Sequence, residues 1–402
     1  MAGYLNFQVP AGVRDLLPPE ATALRELEQE LVAFFQSWGY REVLTPTFEF
    51  VETFQAGSPA GEEGSLYKFI DRDGRVLALR PEMTAPIARL VATSLRREDV
   101  PLRLCYRAGV FRYEEPRAGR LREFHQAGVE LIGAGGEAAD AEIIALAVET
   151  LLKAGLQEFR IGIGQVAVTK GVLQDLELPR EAVAQIKAAL AGKDLVGLEG
   201  LIDGYNLKGR KKRHLELLAT LHGGKEALEE ARTNFNRGGA IAALAGLERV
   251  WKALAACGLE KWLFIDLGIL RDFDYYTGIV FEGYVPGLGV PVCGGGRYDD
   301  LLGRFGYPCP ATGFALGLER ILMARSEVKG TGQDEGYLVA GRDLAAVLRR
   351  ARELHREGTT VIIDGQSENR RQAADRAAAR GLALVWVEPL TGTGEPQGKD
   401  DV

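Results

Sequence analysis

Residues 106–133 read YRAGVFRYEEPRAGRLREFHQAGVELIG, and no other segment restricts the fold of this chain so tightly. Residues 105–112 are apolar-rich with polar interruptions, and residues 124–132 alternate with period two. Phe124, Gln126, Gly128 and Glu130 fall on one face; Ala127, Val129 and Leu131 fall on the other, together with His125. The pattern predicts two strands joined by a loop. Its back is small and apolar and suits a core. Its front carries an aromatic, an amide and a carboxylate, and a buried carboxylate needs a partner. That front is expected to face a ligand. The loop carries Arg117, Arg120 and Arg122, flanked by Arg107 and Arg112. Guanidinium forks at that density suit phosphate oxygens. The alternative is a solvated hairpin with a basic tip.

The rest of the chain supplies a frame for this pair. Pro18, Pro19 and Glu20 open a helix whose apolar stripe runs Leu24, Leu27, Leu31, Phe34, Phe35 and Trp38, and Gly39 stops it. Residues 42–44 start a strand that Pro46 cuts. Residues 67–70 and 76–79 predict a hairpin around Asp71, Arg72, Asp73 and Gly74. Helices are expected at 84–97 and 138–154, and a strand at 159–164. Residues 166–258 carry Leu, Ala, Lys and Glu at helical spacing and predict a helical insertion into a core formed by 1–165 and 259–328. The basic run Lys208, Arg210, Lys211, Lys212 and Arg213 lies inside it and is expected to be a solvated helix face, the alternative being a tRNA contact. Strands return at 262–267 and 276–284. Gly294, Gly295 and Gly296 predict either a tight turn or a close approach of backbone to a ligand. Residues 329–390 alternate short strands (337–340, 360–364, 383–387) with helices (345–356, 370–380), the pattern of a small α/β domain with a parallel sheet. Residues 391–402, rich in Gly, Thr, Pro and Asp, are expected to be disordered.

With 402 residues the chain can bury a large core in two or three domains. Its net charge of -7 is an unpromising field for a dedicated RNA binder, although a local patch can serve. Cys105, Cys257, Cys293 and Cys309 show no CxxC pairing, and the four histidines are scattered. No metal and no cofactor are expected. Nothing in the sequence reads as a leader or a membrane span, so a cytoplasmic protein is expected.

The strand–loop–strand resembles motif 2 of the class II aminoacyl-tRNA synthetases, nearest to the histidyl branch: Phe111-Arg112, then Gly119-Arg120-x-Arg122-x-Phe124-His125-Gln126, then Glu130. Gly39-Tyr40-x-x-Val43-x-x-Pro46 resembles motif 1, the dimer-forming helix and strand. GFALGLER, residues 313–320, resembles motif 3. RDFDYYTGIVFE, residues 271–282, resembles the histidine-specific motif, and Arg80-Pro81-Glu82-Met83-Thr84-Ala85 resembles that branch's Arg-Pro-Glu-Gly-Thr-Ala loop. The resemblance runs from about Val9 to Arg325. It implies an α+β fold: a class II synthetase-like antiparallel sheet core flanked by helices, with a helical insertion and a small C-terminal α/β domain.

Two families share that architecture, histidyl-tRNA synthetases and regulatory subunits of ATP phosphoribosyltransferase. Where the synthetase loop reads Glu-Arg-Pro-Gln, this chain reads Glu114-Glu115-Pro116-Arg117, a reversed charge where tRNA would approach. Met83-Thr84 replaces Gly-Thr, Asp272 replaces Gly, and Thr277-Gly278 replaces Asn-Arg. The C-terminal unit is shorter than an anticodon-binding domain. These departures favour the regulatory family: a non-catalytic subunit, dimeric within a hetero-oligomer, that binds histidine and controls a separate short-form catalytic subunit without tRNA. Retention of Arg112, Arg271 and Arg320 keeps the synthetase, and a free-standing amino-acid-activating enzyme, as alternatives. The resemblance implies a histidine site of Glu82, Thr84, Arg112, Gln126, Glu130, Arg271, Tyr275 and Tyr276. In it Glu82 and Thr84 meet the ammonium, Gln126 the carboxylate end, and Glu130 and Tyr276 the imidazole nitrogens. It also implies a candidate nucleotide site of Arg120, Arg122, Phe124 and Arg320. For each residue the alternative is a structural ion pair.

Overall fold

The computed structural model describes residues 8–57, 64–114, 121–237, 239–269, 275–325 and 336–388. Contacts divide the chain into two units, 1–326 and 327–402.

The first unit begins with α1 (Pro18–Ser37), which Gly39 ends in a left-handed conformation at φ +84°. β1 (Arg41–Glu42), β2 (Phe48–Phe50), α2 (Val51–Gly57), β3 (Lys68–Ile70), β4 (Val76–Leu79) and α3 (Thr84–Ser94) follow. β3 and β4 form the expected hairpin, and β2 adds to it as a strand the sequence pattern did not disclose. Next come β5 (Leu102–Phe111), β6 (Glu123–Ile132), α4 (Gly136–Lys153) and β7 (Arg160–Gln165). The helical stretch contains α5 (Val166–Asp175), α6 (Arg180–Ala191), α7 (Leu195–Gly204), α8 (Gly209–Thr220), β8 (His222–Gly223), α9 (Lys225–Asn234) and α10 (Gly239–Ala256). The chain then returns to the sheet through β9 (Leu263–Asp266), β10 (Ile279–Tyr284), β11 (Cys293–Arg297), α11 (Leu301–Arg304), β12 (Ala311–Gly317) and α12 (Leu318–Ala324).

Nine strands form one sheet in the order β1-β5-β6-β12-β11-β10-β7-β9-β8. The central pairs from β5 to β7 are antiparallel; β1 joins β5 and β9 joins β7 in parallel. This is the α+β synthetase-like sheet the motifs implied. Period two along β6 sorts its side chains as the sequence predicts. Ala127, Val129 and Leu131 pack with α1 and α4 in one large apolar cluster that continues into the helices of 166–258. The opposite face holds a second cluster built from α3, β5 and the tyrosines of 275, 276 and 298. The Gly triplet lies inside β11, between β10 and β12. The tight-turn expectation is therefore corrected: the glycines let neighbouring side chains cross a packed sheet. A Cβ on Gly295 would fall 2.6 Å from the Phe314 Cβ and 2.8 Å from the Phe281 ring.

Buried Arg297, just past the glycines, ties β11 to α4. It pairs with Asp140 at 2.7 Å and Asp299 at 2.9 Å and donates to the carbonyls of Ala134 and Gly136. With every fork occupied, it is a structural clamp.

The second unit holds β13 (Gly336–Gly341), α13 (Leu344–Arg356), β14 (Thr360–Asp364), α14 (Arg370–Ala379) and β15 (Ala383–Val387). Its sheet, in the order β14-β13-β15, is parallel throughout, as the alternating pattern predicts. Leu338 and Ala340 pack on α14; Val339 packs on α13. Asp343 caps α13 by accepting from the backbone N–H of Ala345. The expected disorder at 391–402 lies outside the described residues.

Candidate functional site

The front of β6, the turn before α3 and the segment after residue 274 converge on one buried pocket. Arg80 holds the turn in place. Its guanidinium donates to the carbonyls of Gly109 at 2.8 Å and Thr45 at 2.9 Å, clipping the turn to β5. Glu82 then folds over the start of α3, accepting from the backbone N–H groups of Ala85 (2.9 Å) and Thr84. Two of the helix's orphan donors are thereby satisfied by a side chain. Met83, 1% exposed, lines the pocket wall. The departure from the Gly-Thr pattern thus adds a full side chain to the cavity lining.

Glu130 is the most deeply buried carboxyl of the site, at 1% exposure. It accepts from the Thr84 hydroxyl at 2.8 Å and is hydrogen-bonded to the Tyr298 hydroxyl. Burial is the largest influence and pushes its pKa up to about 8, aided by nearby Glu82 and opposed by the two hydroxyls. Burial also raises Glu82, against the Ala85 and Thr84 amides and the Arg112 charge. Tyr275 and Tyr298 are held well above the ordinary phenol range, first by burial and then by neighbouring acidic groups. Two carboxyls buried this close to one another disfavour each other's ionisation. Room for the Glu130 carboxyl comes from β12. Gly313 lies opposite Glu130, and a Cβ there would sit 2.1 Å from Glu130 Oε2. Gly128 likewise leaves space for the Tyr106 hydroxyl, 2.5 Å from where its Cβ would stand.

Seven of the eight residues expected at a histidine site line this one pocket: Glu82, Thr84, Arg112, Gln126, Glu130, Tyr275 and Tyr276. Arg271 lies outside the described residues, as do Arg117, Arg120, Glu115 and Asp272. Gln126 is 9% exposed, and its Oε1 is buried with no hydrogen-bond partner among the described residues. An amide oxygen can only accept. The oxygen suits an ammonium or another N–H donor, while the amide NH2 of the same side chain can still donate to a carboxylate, the end with which the sequence reading matched it. Arg112 donates to the Pro81 carbonyl at 2.9 Å and lies over the Phe124 ring at 5.4 Å. Phe124 is half-buried beside the pocket, not in its lining. Arg122 donates to the carbonyls of Glu114 (3.0 Å) and Ala11 (3.1 Å) and covers the Tyr113 ring. Arg320 donates to the Pro291 carbonyl at 2.8 Å. Neither Arg122 nor Arg320 reaches the pocket lining.

Tyr298 and Tyr106 are pocket residues that the sequence reading did not assign. The signal for Tyr298 was present. Read as a strand, β11 and the residue after it place Gly294, Gly296 and Tyr298 on one face. The described side chains leave a small cavity of about 30 Å³ among them.

Among the described residues no group of three or more His, Cys, Asp or Glu side chains is set up to hold a metal ion. No described helix is long and apolar enough to cross a membrane. Residues 12–321 match the family model for histidyl-tRNA synthetase. An ATP phosphoribosyltransferase regulatory subunit from Moorella thermoacetica is 74% identical over 96% of this chain and 100% of its own length. The crystal structure of an ATP phosphoribosyltransferase regulatory subunit/histidyl-tRNA synthetase from Bacillus halodurans superposes with a TM-score of 0.83 at 33% identity, covering 96% of this chain and all of that one. A histidyl-tRNA synthetase from Nostoc sp. PCC 7120 shares the fold, with a TM-score of 0.78 at 21% identity over 95% of this chain and 92% of its own. The chain belongs to the ATP phosphoribosyltransferase regulatory subunit family, built on the histidyl-tRNA synthetase fold.

Proposed function

We propose that this chain binds L-histidine in the Glu82–Glu130 pocket and controls a separate catalytic chain that joins ATP to phosphoribosyl pyrophosphate. The chain itself would be non-catalytic. The observation that carries the ligand reading is Gln126 Oε1, buried without a partner among the described residues, beside two buried carboxyls. A free amino acid brings N–H donors that these acceptors can take. Its ammonium would meet Gln126 and Glu82, its carboxylate Arg112, and its imidazole Glu130 with Tyr276 or Tyr298. Two polar partners on opposite ring nitrogens reject apolar amino acids strongly, since those leave both partners unpaired. The partner reading rests on the name of the Moorella relative. A dimer within the hetero-oligomer suits the exposed aromatic face of the small sheet, where Phe48 (50% exposed) meets Phe69 (40%) edge-on at 5.6 Å.

Calorimetry with L-histidine and with other amino acids tests the ligand. Saturable binding of histidine alone is expected. Aminoacylation of histidine tRNA at roughly 1 per second or faster would instead establish the synthetase reading, which the pocket position of Arg112 keeps in play.

A further inference from the structure

The basic run at 208–213, expected from sequence to be a solvated face, divides in the structure. Lys211 pairs with Glu177 at 3.0 Å, Lys212 lies 3.8 Å from Glu216, and Arg213 pairs with Glu230 at 3.1 Å. Arg210 has no such partner and opens onto a different feature. Between α5, the start of α8 and the turn from α9 to α10 lies a cleft of about 400 Å³. Lys170, Arg210 and Arg237 line it, and Asp175 is the one carboxylate in its lining. All four side chains are exposed. Neither Arg210 nor Arg237 forms an ion pair with a described residue.

The floor of the cleft is amphipathic. His214, 8% exposed, stands 5.0 Å from the Phe235 ring and bonds the Asn234 carbonyl at 3.1 Å. Burial lowers its pKa, and the fields of Arg210 and Arg237 push the same way against Asn234 and Asp175. His214 is thus neutral in a cationic surround. At one end Lys170 donates to the Tyr276 carbonyl at 3.1 Å, and Thr277 lines the wall. Three cations against one carboxylate, over an aromatic floor in a cavity of ligand size, make a site for a compact anion.

We propose that this cleft, separate from the amino-acid pocket, binds a small phosphorylated metabolite, with Arg210 and Arg237 gripping its phosphate groups. A long nucleic acid is disfavoured because three members of the basic run, Lys211, Lys212 and Arg213, already face carboxylates.

Calorimetry of the full chain with inorganic pyrophosphate tests the site. One saturable site per chain is expected. The double variant Arg210→Ala/Arg237→Ala, whose exposed side chains leave the core untouched, should weaken it roughly a hundredfold or more, two charge-assisted bonds lost. Arg112→Ala should leave it unchanged. No saturable binding, or equal binding by the double variant, overturns the proposal. Loss of binding in Arg112→Ala would put the anion in the amino-acid pocket and overturn it too. An RNA hairpin that binds tighter than pyrophosphate, with affinity falling steeply with salt, would replace the small-molecule reading with a nucleic-acid one.

Discussion

At the scale of the residue, Glu130 sets the chemistry of the pocket. Its pKa of about 8 stands far above the ordinary carboxyl value, so the folded protein holds a proton there that the unfolded chain gives up. Stability from this group is therefore undiminished at low pH and falls as pH rises from the unfolded value, near 4.5, through 8. Glu130→Gln keeps the shape and removes the titration. The variant should gain stability over wild type progressively across that window and none below it, as read from urea midpoints at pH 5 and pH 8. An equal midpoint shift at both values would mean that proton loss from Glu130 does not govern the slope. The same proton shapes ligand binding. A bound imidazole beside Glu130 shares one proton between them. Near pH 7 the free protein already carries that proton on Glu130 and free histidine carries none on its ring, so no net uptake is needed. Above pH 8 a proton must be captured. Below about 6.5 the free imidazole is charged as well, and one must be released. Histidine affinity should be flat between and fall on either side, up to about tenfold per pH unit. Affinity that keeps rising above pH 8 would mean that an ionised Glu130 is the binding form.

At the scale of the element, the site exists because β6 and β12 approach where neither strand has a side chain in the way. Gly313→Ala places a methyl 2.1 Å from the Glu130 carboxyl and 2.3 Å from the Val129 carbonyl oxygen. The second contact is backbone and cannot swing aside. The substitution should cost about 1–3 kcal/mol of stability, measured by denaturant unfolding. Adding Glu130→Gln should not restore it, because the Val129 carbonyl remains. Much of this architecture was legible in the sequence. Period two in β6 separated Ala127, Val129 and Leu131 from Gln126 and Glu130, and the Pro-Pro-Glu start and Gly39 stop bounded α1. The readings that missed were those where composition conceals conformation. Three consecutive glycines resemble a turn, yet β11 needs them because Phe281, Phe314 and Tyr276 crowd its two faces. Misreading that strand hid Tyr298, the partner of Glu130. Nor could a sequence show that Glu82 caps α3 with the carboxyl expected to hold a ligand, or that Arg122 spends its guanidinium on carbonyls. Those facts depend on which backbone groups three-dimensional packing leaves unpaired.

At the scale of the whole molecule, the proposed sensing role requires that histidine favour one of two arrangements of its pocket. A ligand can shift a partner's activity only by its differential affinity for two states of the complex, in general on the order of 1–3 kcal/mol. The chain carries no acidic pair followed by a phosphate-cradling loop that would mark a phosphoribosyl pyrophosphate site; Asp299, the nearest candidate, is taken up by Arg297 at 2.9 Å. Alone it should make no phosphoribosyl-ATP. Mixed with a short-form catalytic chain, it should give a larger particle by light scattering, whose turnover histidine suppresses. Linkage is reciprocal, so saturating that complex with the catalytic chain's substrates should weaken histidine binding by the same factor by which histidine weakens theirs. The Glu130→Ala variant separates assembly from sensing. It should still form the particle, since Glu130 is buried away from any surface, while losing a charge-assisted bond, about 1.5–3 kcal/mol of histidine affinity. Its complex should therefore stay active at histidine concentrations that silence the wild type. A variant complex silenced at the same concentration would put the sensor elsewhere, and failure of the wild-type chains to associate would remove the regulatory role.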